Sequence, residues 1–164
     1  MEVVLVSFGE KHRKPLIDIF NHYVTEGFAA YPENPLPYEA FDLFRKMTAG
    51  YPAYAAETAN GALAGFGFLH AHNPMPTFSH VAEISYFLSP EYCRMGIGSK
   101  ILDRLLAEAP GKGIVTVLAS ISAPNEPSIS FHARHGFVVC GRFKSALRKK
   151  GTAVDVVWMQ RMLG

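Results

Sequence analysis

Three groups of residues in this chain are candidates for proton transfer or anion binding. The first is Glu83, set in a run from Val81 to Leu88 (VAEISYFL) that is otherwise suited to a buried strand. A carboxylate withdrawn from water without a partner holds its proton more tightly, which suits a general base; on a partly exposed face it is only a structural acid. The second is Gly96-Ile97-Gly98, opening a stretch in which Ile101, Leu102, Leu105 and Leu106 recur at helical spacing. Glycines there let the backbone turn tightly and approach a ligand, and the free amides of a helix start suit a phosphate. The same pattern also serves as a plain strand-to-helix turn. It is neither a dinucleotide fingerprint nor a nucleoside-triphosphate loop, because a third glycine and a GK[ST] ending are both missing. The third is His132, in Phe131-His132-Ala133, whose ordinary pKa lets it give or take a proton near neutrality.

The sequence also offers other chemistries. Seven histidines include His70-x-His72 and His132-x-x-His135, and residues two apart on a strand share a face, so a metal grip is one alternative. No cysteine or carboxylate stands beside them at ligand spacing, and no metal is expected. Cys93 falls near the helix start, where thiol pKa values drop, yet no nucleophile motif surrounds it. The segment Arg142 to Lys150 (RFKSALRKK) gathers basic charge and reads as a solvated turn between two strands, available to a phosphate.

Stepping outward, short apolar runs and helical periodicities must position these groups. Val3–Phe8 reads as a strand, Pro15–Val24 as a helix, Gly27–Pro37 as a proline- and aromatic-rich loop, and Tyr38–Met47 as a second helix. Asn60-Gly61 marks a hairpin between strands Ala53–Glu57 and Leu63–His70. A loop from Ala71 to Ser79 leads into the central strand and glycine-led helix. Ile114–Ser120 is an interior strand; Asn125 caps a helix running through His135; Phe137–Phe143 and Val154–Met162 close the chain as strands joined by Lys144–Thr152. The class is α/β, a mixed sheet with helices on both faces.

The 164 residues suit one domain spanning 1–164. Hydrophobic residues make up 49% and charged ones 18%, leaving room for an apolar surface patch such as a dimer face. A net charge of +2 favours neither nucleic acid nor a membrane surface as partner. Two cysteines, Cys93 and Cys140, do not make a secreted disulfide framework. No basic-then-apolar leader and no run of roughly 20 apolar residues is present, so a soluble cytoplasmic protein is expected.

Several motifs in joint order carry a further reading. They are Asn21-His22-Tyr23-Val24-Thr25; Glu83 with Arg94-Met95-Gly96-Ile97-Gly98-Ser99; Pro124-Asn125-Glu126-Pro127-Ser128; Phe131-His132-Ala133-Arg134-His135-Gly136-Phe137; and Asp155-Val156-Val157-Trp158-Met159-Gln160. Together they resemble the GNAT acyltransferase superfamily, in its phosphinothricin N-acetyltransferase-like branch, over nearly the whole chain. The resemblance implies a mixed, splayed sheet flanked by helices, with acetyl-coenzyme A as co-substrate where the fourth and fifth strands diverge. It implies that backbone groups of Phe87, Leu88 and Ser89 pair with the pantetheine arm. The amides of Met95 to Lys100 (Met95, Gly96, Ile97, Gly98, Ser99, Lys100) would hold the pyrophosphate beside Arg94, Asn125 would reach the thiol end, and Arg134 would touch coenzyme phosphate. The Leu88 amide would also polarise the thioester carbonyl.

The implied activity is direct acetyl transfer, in a ternary complex, to the primary amine of a small amino acid or analogue such as phosphinothricin or methionine sulfoximine. Glu83 is the implied base. His132 stands where many members carry a tyrosine that protonates the thiolate, so acid and base stay unassigned between the two. Tyr31 and the run Thr77, Phe78, Ser79 and His80 match pocket-lining positions, and the branch implies a homodimer. Basic residues usual before the fourth strand are replaced by Asn73 and Met75, and the Arg-Trp usual ahead of Asp155 by Thr152 and Ala153. Those changes remove cationic contacts for an acidic substrate. A polyamine or peptide N-terminus as acceptor, and a coenzyme-binding module without turnover, are the alternatives.

Overall fold

The apolar runs become strands and helices in the expected order. The computed structural model describes residues 1–164. Its strands are β1 (Val3–Val6), β2 (Ala53–Thr58), β3 (Leu63–Ala71), β4 (Val81–Leu88), β5 (Thr116–Ser122), β6 (Val138–Lys149) and β7 (Thr152–Met162), and its α-helices are α1 (Arg13–Thr25), α2 (Ala40–Met47), α3 (Ile97–Glu108) and α4 (Glu126–Arg134). The seven strands form one sheet in the order β1-β2-β3-β4-β5-β7-β6. Every neighbouring pair is antiparallel except β4 and β5. No helix is long and apolar enough to cross a membrane.

Two apolar layers hold the helices to the sheet. On one face α3, through the fully buried Ile97, Ile101, Leu102 and Leu105, packs with Ala82, Ile84, Val117 and Ala119, and Phe131 of α4 joins this layer. On the other face α1 and α2 bring Leu16, Ile17, Phe20, Phe41 and Phe44 against Phe66 and Phe68 of β3. Side chains alternate along a strand, so Ile84, Tyr86 and Leu88 face α3 while Glu83, Ser85 and Phe87 face α1 and α2. The helix α3 can lie close because β3 carries glycine beneath it. A Cβ on Gly67 would collide with Ile101 Cγ2 and stand 3.0 Å from Tyr86 Cβ.

The basic segment Lys144–Thr152, expected as a turn, is a strand over most of its length. β6 continues to Lys149, and the reversal is confined to Lys150 and Gly151, both at positive φ. The strand is irregular there: its register slips between Phe143 and Leu147, and Ser145 takes φ 52°. Asp155 of β7 makes that bulge tenable. It accepts hydrogen bonds from the Ser145 amide at 2.8 Å and Arg142 Nε at 2.7 Å, with Lys144 Nζ at 3.4 Å. Period-two reasoning misses such a strand because its charges answer a partner on the neighbouring strand rather than solvent alone.

Two outcomes test this packing. Gly67→Ala forces α3 off the sheet and lowers unfolding free energy by about 1–3 kcal/mol, measured by urea denaturation. The Ser145 amide, with Arg142 and Lys144, holds the Asp155 carboxyl down to about 2. A carboxyl lowered in the folded state contributes stability that is full above the ordinary value near 4 and lost as pH falls through about 2. Asp155→Asn therefore melts lower at neutral pH and shows a shallower fall in Tm across that acid window.

Candidate active site

The site begins where the sheet stops pairing. β4 and β5 are in register only at Val81–Thr116, Ala82–Val117 and Glu83–Leu118, after which they part. The Ser89 amide is spent on Ala64 O of the β3 side at 2.9 Å. By strand alternation the main chain of Phe87 likewise turns to β3, while Ile84, Tyr86 and Leu88 present theirs to the gap. The main chain of Phe87 and Ser89, expected to meet a ligand in the gap, is thus turned to β3, and the groups left open there are those of Tyr86 and Leu88. The Leu88 carbonyl already accepts from the Tyr23 hydroxyl at 2.6 Å, leaving its amide open.

The gap opens into a cavity of about 1020 Å³. At one end lies the loop ahead of α3. Arg94 and Gly96 both take left-handed backbone, φ 63° and 80°, a conformation that costs a non-glycine residue roughly 1–2 kcal/mol. Such turns direct successive amides into one concavity. The amides from Arg94 to Ser99 have no backbone acceptor, whereas the Lys100 amide closes the helix on Gly96 O at 3.2 Å. The Lys100 amide, expected to face a phosphate, is thus spent inside the helix, and the Arg94 amide is open in its place. Ile97 is fully buried in the core, so it offers its amide alone, and Met95 is largely exposed. The Ser99 hydroxyl bonds His135 Nε2 at 3.1 Å, bracing α3 to the end of α4.

At the other end stands Glu83. Its Oε2 lies 2.9 Å from His72 Nδ1. Beside it the Tyr31 hydroxyl meets Ser120 Oγ at 2.7 Å, bridging the loop after α1 to β5. Burial, with the nearby Glu83 charge adding to it, raises the Tyr31 pKa. The β6–β7 turn secures this loop. Buried Lys149 donates to Gly27 O and Ala30 O, both at 2.8 Å, and the Lys150 amide donates to Glu33 at 2.7 Å. Trp158, opposite Ser120 in register, completes the wall.

His132 also lines the cavity but from the opposite face of β4, its ring 5.4 Å from that of Tyr86. Its Nδ1 lies 2.8 Å from Ser128 O. A carbonyl only accepts, so Nδ1 carries the proton and Nε2 a lone pair. Burial lowers the pKa of this imidazole, keeping it neutral, and raises that of the Tyr86 phenol. Three buried side-chain polar atoms in the whole chain lack a partner: Ser122 Oγ, His132 Nε2 and Trp158 Nε1. All three belong to this one cavity's wall. Buried polar groups are otherwise almost always paired, so the concentration marks a place built for a ligand.

Of the expected residues the cavity unites Glu83, His132, Phe87, Leu88, Arg94, Gly96, Gly98, Ser99, Asn125, Arg134 and Tyr31. Asn125 sits at the helix start without a side-chain capping bond, so its amide is free to face the gap. Thr77, Phe78, Ser79 and His80 contribute nothing to the wall; Phe78 instead packs edge-on against His72 at 6.0 Å. Sequence reasoning missed His72 as a partner of Glu83, and Ser120. The signal for both was strand alternation: His72 lies one step past β3 on the face of His70, and Ser120 is a polar residue in an apolar strand. Cys93 is exposed at the cavity's edge, 3.8 Å from the Tyr23 hydroxyl. No three metal-ligating side chains come together.

Comparison with known proteins agrees with this geometry. The model of the Acetyltransferase (GNAT) family matches residues 16–137. Phosphinothricin N-acetyltransferase of Streptomyces viridochromogenes is 30% identical over 147 residues, covering 88% of this chain and 79% of that one. The L-amino acid N-acyltransferase MnaT of Escherichia coli is 29% identical over 150 residues, 90% and 87% of the two chains. Among solved structures, a GNAT superfamily phosphinothricin acetyltransferase from Sinorhizobium meliloti, in complex with AcCoA, superposes with a TM-score of 0.93 at 29% identity, covering 100% of this chain and 90% of that one. The splayed sheet, the amide cradle and the matched residues lead to one conclusion: the chain belongs to the GNAT family, in its phosphinothricin acetyltransferase-like branch, and is an acetyl-coenzyme A-dependent N-acetyltransferase.

Proposed function

We propose that the chain acetylates the primary amine of a small amino acid with an uncharged side chain, by direct transfer within a ternary complex. One observation carries the reading: Glu83 and the unpaired amides before and within the first turn of α3 line the same cavity, opened by the parting of β4 and β5. The amides of Arg94 to Ser99 hold the coenzyme pyrophosphate, with Arg94 and Arg134 adding charge. The Tyr86 and Leu88 main chain pairs with the pantetheine arm, Leu88 N–H polarises the thioester carbonyl, and Asn125 lies toward the thiol end.

An ammonium has no lone pair, so Glu83 first removes one proton. The freed nitrogen attacks the carbonyl, forming C–N as C–S breaks. His132, neutral and with Nε2 bare, takes the second proton from nitrogen and returns it to sulfur. Base and acid are thereby divided between the two faces of β4. Glu83 ends the cycle protonated and loses that proton to solvent. No step needs a covalent enzyme adduct.

Charge distribution supports the substrate class. Arg94 and Arg134 are the sole lysine or arginine side chains in the wall, and both belong to the α3–α4 end. Around Glu83 stand Tyr31, His70, Ser120 and Trp158, with Phe44, Met47 and Phe68 beyond. A second anionic group on the substrate finds no guanidinium there. We read the protein as a homodimer in a reducing interior. Exposed Val138, Val139 and Phe143 on β6 and two unpaired cysteines support that reading.

Glu83→Gln lowers kcat by about 10²–10⁴-fold in a thiol-release assay and leaves the KM for acetyl-coenzyme A unchanged. Full activity would remove Glu83 as base. In competition, methionine sulfone is acetylated with a kcat/KM about ten- to a hundredfold above that of phosphinothricin, whose second anion lacks a charged hydrogen-bond partner. Preference for phosphinothricin would contradict the charge argument.

A further inference from the structure

We infer that His72 is the positioning residue of the base, a role resting on the assignment of Glu83 above. Glu83 has a single hydrogen-bond partner in the protein, His72 Nδ1 at 2.9 Å from Oε2. An ionised carboxylate accepts, so Nδ1 carries the proton and Oε1 is left for the incoming ammonium. A glutamate with three side-chain torsions would otherwise sample several orientations, and fixing it beforehand spares that entropy at the moment of reaction.

The imidazole is itself held. It meets Phe78 at 6.0 Å and 63°, and Trp158 at 6.1 Å and 80°, both edge-on. These contacts give Phe78 a place in the site although it lines none of the cavity. They also connect the short helical turn Pro76–Phe78 to β7 through one ring. His72 is about as exposed as a group at the rim should be, 32% against 21% for Glu83, so it shields one edge of the carboxylate without sealing the site. The pair forms because β3 and β4 run antiparallel with His70 opposite Glu83, and the chain continues along β4 with the His72 amide 3.5 Å from Val81 O, so His72 stands diagonally across from the carboxylate.

The test uses the full chain with acetyl-coenzyme A and methionine sulfone. His72→Phe keeps a ring between Phe78 and Trp158 and deletes the donor; kcat should fall about ten- to a hundredfold, with KM for acetyl-coenzyme A and Tm unchanged. His72→Asn, whose amide N–H can reach the same oxygen, should recover most of the loss. In a Glu83→Gln background, His72→Phe should add no further loss. Wild-type kcat in His72→Phe alongside an impaired Glu83→Gln overturns the positioning role alone. Failure of Asn to rescue also overturns it, since the loss would then not lie in the donated bond. Full activity in Glu83→Gln overturns both this role and the base it serves.

Discussion

The structure depends on an unfinished pairing. β4 and β5 run parallel and bond over three residues, then separate while each still has several residues to run. Backbone N–H and C=O groups inside a protein must find partners, and an open strand edge is normally paired or covered. Here the edge at Tyr86 and Leu88 is kept open by what flanks it. Below, α3 is seated tightly over Gly67 and packs its apolar stripe against β4, fixing that strand in place. Across the gap, β5 is drawn to β7 along seven register positions. Each strand is thus held by its other neighbour, and the space between them is left to a ligand that can complete the hydrogen bonding.

The same parting divides the chemistry. A gap through the sheet is reached from both faces, so Glu83 and His132, on opposite sides of β4, line one cavity and serve a single centre in the proposed reaction. Glu83 approaches from the α1–α2 side and His132 from the α3–α4 side. The unpaired amides of Arg94 to Ser99 and both arginines lie with α3 and α4, away from the carboxylate. In the proposed reaction that separation keeps the cationic end of the cavity apart from the substrate end, where Tyr31, Trp158, Phe44 and Phe68 line the wall with Glu83. The neutral state of His132 follows from burial, and the Ser128 carbonyl, one turn earlier on its own helix, fixes the remaining proton on Nδ1.

Local features were legible in the sequence. Apolar spacing located α1, α2 and α3; Asn60-Gly61 located the hairpin; a glutamate in an apolar strand and glycines at a helix start located the two ends of the cavity. What escaped was set by cross-strand register and by loops. His72 touches Glu83 only because β3 and β4 pair as they do, and Trp158 reaches the site only because β7 sets it opposite Ser120. Tyr31 sits in a proline-rich loop whose path is dictated by Lys149, more than a hundred residues away along the chain. The basic stretch after Phe143 is a strand rather than a turn for a like reason: Lys144 faces Asp155 of β7, and Lys149 and Lys150 bond the loop after α1. The resemblance named Phe87 and Ser89, but strand alternation turns their main chain the other way.

Amide hydrogen exchange with and without acetyl-coenzyme A reads whether the parted strands and the loop ahead of α3 receive the coenzyme. Exchange should slow at the amides of Arg94 to Ser99 and at Tyr86 and Leu88, with Phe87 and Ser89 unaltered because their main chain is already turned to β3. Tight binding of acetyl-coenzyme A without added protection at the amides of Arg94 to Ser99 would contradict this expectation.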